Sequence, residues 1–159
     1  MSARSLAATD SRIRGLRANA LAGLIMLLIE YSLGISANLY STLPTADRGK
    51  TLFAGLGAAL GNGPVLVTIH ALLGTLLLIT GIAAVARASR LGRRSLIALS
   101  GTALLATLVA WLSGSAFVGN QEAAASLAMA LAAAAAILCY ALVIFMLSLG
   151  RMWLPASQE

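Results

Sequence analysis

Four apolar runs, at about residues 18–40, 64–87, 95–117 and 123–149, decide what this chain can fold into. Each exceeds the roughly 20 apolar residues that a helix needs to cross the hydrocarbon core of a bilayer. Lipid offers no partners for backbone N–H and C=O groups, so runs of this length become helices, which satisfy those groups internally. The sequence therefore reads as an all-α integral membrane four-helix bundle forming a single domain. Only 10% of its residues are charged, against about 25% in a soluble domain. The net charge of +6 would suggest nucleic acid in a soluble chain. Here the basic residues sit at the ends of apolar runs, so the bilayer is the expected partner and nucleic acid is not.

Those basic residues also orient the bundle. A basic arm at 1–17 carries Arg4, Arg12, Arg14 and Arg17 against Asp10, with Thr9 or Asp10 available to cap a short helix. The link at 87–94 holds Arg87, Arg90, Arg93 and Arg94, and the 150–159 tail holds Arg151, with Trp153 at an interface. The 41–63 connection has only Arg48 and Lys50, and the 118–122 turn has no positive charge. Lys and Arg accumulate on the cytoplasmic side, so nine against two predicts both termini in the cytoplasm of a bacterial inner membrane. Helices one and two then pair as one antiparallel hairpin, three and four as the other.

The 41–63 connection begins as a wet loop marked by Pro44, Asp47, Arg48 and Lys50. It then spaces Leu52, Phe53, Leu56 and Leu60 helically over 51–60, which is too short to span and predicts an interfacial helix. Gly61-Asn62-Gly63-Pro64 breaks the chain and places Pro near the first helical position of the second span. The fourth run is rich in alanine, unbroken from Ala132 to Ala136, which predicts close backbone approach or a subunit contact. The lone Cys139 forms no intrachain disulfide and reads as a buried thiol. Ile35-Ser36-Ala37 loosely resembles a leader cleavage site, but the run is long for a leader and an acid interrupts it.

That acid is Glu30, about 15–18 Å from either end of its run at 1.5 Å per residue. A carboxylate there costs roughly 3 kcal/mol on insertion scales, so it needs partners inside the bundle. Positions 23, 27, 30, 34, 37/38 and 41 share one helical face, which reads Gly, Leu, Glu, Gly, Ala-Asn, Ser. Small and polar residues thus gather on the Glu30 side, as an inward face requires.

Counted from the same outer surface, His70 lies roughly 9 Å deep, Glu30 roughly 15 Å and Asn38 roughly 3 Å. Glu30 and His70 on adjacent helices can therefore pair directly or through one water. A buried acid–imidazole pair suits proton relay. Glu30, His70 and Asn38 form the candidate polar site, with Gly34, Gly74, Thr107, Ser113 and Ser126 in support. The bland alternatives are a histidine that joins helices by a hydrogen bond and a protonated structural carboxyl. No nucleophile constellation, phosphate loop or dinucleotide fingerprint is visible, which argues against a hydrolase or kinase.

Two stretches resemble a group of small, uncharacterised bacterial four-helix membrane proteins. One is Glu30-Tyr31-Ser32-Leu33-Gly34 continuing to Asn38-Leu39-Tyr40 and Pro44; the other is Gly63-Pro64 leading to His70-Ala71-Leu72-Leu73-Gly74. Phe117 through Asn120-Gln121-Glu122 to Ser126 and Met129 is similar to the group as well. The resemblance implies the fold and brings no activity with it. His70-x-x-x-Gly74 also resembles, more loosely, the helical motif of four-helix membrane cytochromes, where a porphyrin lies against the glycine. That likeness implies haem on His70, with a methionine, an open position or a second subunit completing the ligation, since the chain has one histidine. Proton-coupled transport of a small solute or ion, by an oligomer without a resident cofactor, is the leading expectation. A haem-binding redox protein and a non-catalytic subunit of a membrane complex are its rivals.

Overall fold

A computed structural model describes residues 3–42, 49–61, 63–120 and 122–152. They form five helices: α1 (Ala3–Tyr40), α2 (Leu52–Gly61), α3 (Val65–Leu91), α4 (Arg94–Asn120) and α5 (Ala123–Met152). Four contain stretches long and apolar enough to cross a membrane, at Ala7–Tyr40, Val65–Leu91, Arg94–Gly119 and Ala123–Leu149. Their outward faces carry bare aliphatic side chains; Ile79, Leu105 and Leu131 are each more than 60% exposed. Such a belt is far larger than the apolar patches of a soluble monomer, and lipid covers it without cost. The chain is a multi-pass membrane protein. The expected loop markers Pro44, Asp47 and Arg48, the breaker Asn62, the turn residue Gln121 and the interfacial Trp153 lie outside the described residues.

The first helix differs most from its sequence reading. It runs through the basic segment expected to form a separate arm. Ala, Arg and Leu are strong helix formers, and no proline stands before residue 18. Asp10 and Arg14 add an ion pair one turn apart. The segment also docks on the end of α3, where Arg87 donates to the Gly15 carbonyl at 2.8 Å and Arg12 to the Arg90 carbonyl at 3.2 Å. One turn further in, Asn19 donates to the Thr80 carbonyl. Pro64 is the residue before the first turn of α3, with extended ψ of 144°, so it sits one position earlier than expected. Gly92 ends α3 in the left-handed conformation at φ 67°, its N–H returning to the Ser89 carbonyl.

The four long helices form a ring in which α1 lies between α3 and α5, and α4 between the same two. Both expected hairpins are present. The alanine-rich α5 is one wall of the ring, and its most extensive contact is with α4. Ala132, Ala133 and Ala136 face inward there, against an α4 that buries Ala103 and Ala106. Small residues do the same between α3 and α4, where a Cβ on Gly81 would stand 2.9 Å from Leu104 Cδ1. In lipid, helices associate through such close packing and not through hydrophobic burial.

Packing divides the ring along its length. The half nearest the arginines is solid, filled by Leu16, Ala20, Leu77, Ala84, Leu96, Tyr140, Val143 and Leu147. The other half is hollow, and α2 lies across its α3–α4 side. There a Cβ on Gly55 would stand 2.9 Å from the Ser115 carbonyl oxygen, and Thr68 donates to the Ala59 carbonyl at 2.8 Å. The turn before α2 is pinned to the end of α4 by Gly49 N–H on the Gly119 carbonyl.

Candidate functional site

The hollow half encloses a cavity of about 410 Å³, within the range of small-molecule sites. Its base is set by Leu27 of α1, Leu77 of α3, Thr107 of α4 and Ala133 of α5, and Leu56 and Ala59 of α2 close over part of it. Each long helix contributes its residues at three- and four-residue spacing, which keeps them on one face. On α1 these include Leu27, Glu30, Gly34, Ala37 and Ser41, with Tyr31, Ile35 and Asn38 beside them. That is the inward stripe expected from the sequence. The lining is mostly apolar, with a few polar groups converging near the base.

The first of these is Glu30, 8% exposed. Its Oε1 lies 2.9 Å from His70 Nδ1 of α3. The distance is that of an ion pair, but the ring N–H direction misses the oxygen, so the contact is not a well-aligned hydrogen bond. Glu30 Oε2 is buried with no partner. Two glycines make the approach possible: a Cβ on Gly74 would stand 3.0 Å from Glu30 Oε1, and one on Gly34 would stand 3.1 Å from His70 Cε1.

Trp111 is the group that sequence reasoning left out of the site. Its Cδ1 is within contact distance of the Gly74 face, and its Nε1 donates to Thr75 Oγ1 at 3.1 Å. Thr75 passes that bond on by donating to the Ala71 carbonyl at 2.8 Å. The indole is thus fixed from behind, one turn along α3 from His70. A tryptophan on the same helical stripe as Thr107, Gly114 and Val118 was the available signal.

The remaining candidates divide. Thr107 lines the cavity, its hydroxyl spent on the Ala103 carbonyl. Asn38 and Ser126 also line it, near the open end. They border a second hollow of about 520 Å³ with Phe117, Ala123, Leu127 and Ala130, on the flank between α1 and α5. Asn38 is solvent-exposed there and well above the pair. Ser113 is not part of the lining, since it falls on a different side of α4 from Trp111 and Gly114.

A porphyrin lying against Gly74 would have to displace the side chains that hold that face. The face of Gly74 that would receive it holds the Glu30 carboxylate and the edge of Trp111, while the Glu30 contact involves His70 Nδ1 and leaves Nε2 out of it. Met129 lines the same cavity, packed toward Gly114 of α4. Among the described residues no group of three or more His, Cys, Asp or Glu could hold a metal ion.

Comparison with protein-family models, with curated proteins and with solved structures finds no match for this chain, so its site is read from its own chemistry.

Proposed function

We propose that this chain is a proton-coupled transport-type protein of a bacterial cytoplasmic membrane, and that Glu30 and His70 hold and pass on the proton. One observation supports the reading above all. An acid and an imidazole meet at 2.9 Å at the base of a cavity, and the second carboxylate oxygen is buried and free to accept. A purely structural pair would be expected to use both oxygens, because an unpartnered buried acceptor costs about 1–3 kcal/mol. An ionisable residue held inside the membrane with a free acceptor is open to a proton or a ligand donor.

With both termini inside, as the lysine and arginine distribution predicts, the hollow half faces outward and the solid half faces the cytoplasm. Leu16, Leu77, Leu96 and Val143 close the inner end, so a continuous path runs between subunits of an oligomer or opens by a shift of α1 against α5. Liposomes containing the protein and an internal pH dye test the proposal. After an imposed acid step outside, the wild type acidifies the lumen faster than empty liposomes, and Glu30→Gln does not. Equal rates in the wild type and in Glu30→Gln, at equal protein per liposome, overturn it.

A further inference from the structure

We propose that the cavity binds a monovalent organic cation with an apolar body, taken up against the Glu30 carboxylate in exchange for its proton. The proposal rests on the proton-site reading above and names what the proton is exchanged for.

The chemistry of the lining selects this class. Among the described residues the titratable groups that line the cavity are Glu30 and Tyr31 of α1 and His70 of α3; α2, α4 and α5 contribute none. No lysine or arginine is among the described lining residues, so an anionic ligand would meet a carboxylate with no compensating charge there. Glu30 Oε2 is buried and unpartnered; once the carboxyl is ionised it can only accept from a donor or face a cation. The walls are mostly apolar, with the rings of Trp111, Tyr31 and Phe117 among them, and aromatic rings attract cations most strongly where water is excluded. A depression on the flank between α1 and α5 shares Asn38, Phe117, Ser126 and Ala130 with the cavity, on the side from which an apolar body would arrive from lipid.

The exchange balances. Before binding, the carboxyl holds its proton and the cavity carries no net charge. On binding, the carboxyl O–H proton leaves to water, the carboxylate faces the cation, and the cavity is again neutral. Neither state leaves a lone charge in low dielectric, which would be costly.

The test uses the full chain in mild detergent in weakly buffered solution, with Trp153→Phe so that Trp111 alone fluoresces. The probe is benzyltrimethylammonium, and the comparison is neopentylbenzene, which has the same shape with carbon in place of the charged nitrogen. The cation is expected to change Trp111 fluorescence saturably and to release one proton for each molecule bound. Its apparent Kd falls about tenfold for each unit rise in pH while the proton is being displaced. Neopentylbenzene is expected to bind at least about tenfold more weakly. Equal binding of the two probes overturns the proposal, as does cation binding with no proton release. Glu30→Gln is expected to abolish the difference between the probes; because the comparison is made first with Glu30 intact, it stands even if that variant fails to fold. Liposome acidification that depends on Glu30, together with no cation binding, would retain the proton site and reject the ligand class. Cation binding with proton release but no Glu30-dependent acidification would retain the exchange site and reject proton movement across the membrane.

Discussion

Gly74 of α3 leaves the space that the Glu30 carboxylate of α1 occupies: a Cβ built there would stand 3.0 Å from Oε1. The relation is reciprocal, since a Cβ on Gly34 would stand 3.1 Å from the His70 ring. Glu30 and His70 are each followed one turn later by a glycine, and the helices run antiparallel. Each polar side chain therefore lies level with the other helix's glycine. The pair meets because two side chains are missing.

Gly74→Ala tests this directly. Alanine gains about 1 kcal/mol in helix propensity, while crowding the carboxylate costs about 1–3 kcal/mol. The bundle is expected to fold with a small net loss of stability, and Glu30-dependent acidification of liposomes to fall to the Glu30→Gln level. Gly57→Ala is the control. Its Cβ meets nothing within 4 Å, so thermal stability should hold or rise and proton movement should not change.

Much of this was legible in the sequence. Apolar run length alone marks the four spans, and the spacing of Gly23, Leu27, Glu30 and Gly34 marks the inward stripe of α1. Helical rise places Glu30 and His70 within about 6 Å of height, which a glutamate side chain can bridge. Two things were not legible. The docking of the basic segment on α3 through Arg87 and Arg12 rests on contacts with no local pattern. The place of Trp111 depends on how α4 is rotated against α3, which depth counting does not give. Ser113 and Trp111 have nearly the same depth, and only the rotation separates them.

Gly55→Ala should loosen α2 over the cavity. The added methyl would stand 2.9 Å from the Ser115 carbonyl oxygen, and backbone of α4 cannot move aside as a flexible side chain can. The expected cost is about 1–3 kcal/mol, read as a lower unfolding temperature in detergent. Val118→Cys, at a site 6% exposed beneath α2, should react faster with a small maleimide in this variant than in the parent. Both are made in a Cys139→Ala background. Unchanged labelling would mean that α2 does not cover this region.

Thr75→Val removes the acceptor of the Trp111 indole N–H while nearly preserving volume. The buried donor is left unpaired at a cost of about 1–3 kcal/mol. With Trp153→Phe, Trp111 fluorescence is expected to broaden and to become more accessible to a neutral quencher, because nothing then fixes the ring. An unchanged spectrum and quenching constant would show that packing against Gly74 holds the indole by itself.

The orientation of the bundle is tested by two single cysteines, again with Cys139→Ala. Lys50→Cys lies at the hollow end, before α2, and Ser89→Cys lies at the arginine-rich end of α3; both positions are exposed. Lysine and arginine resist translocation and gather on the cytoplasmic side, and the arginines of α1, α3 and α4 all sit at the Ser89 end. A membrane-impermeant maleimide applied to intact cells is therefore expected to label position 50, and to label position 89 only after the membrane is opened. The reverse pattern would turn the cavity toward the cytoplasm. Glu30 would then exchange its proton with the inner compartment, and the direction of coupling proposed here would invert while the geometry of the pair stayed the same.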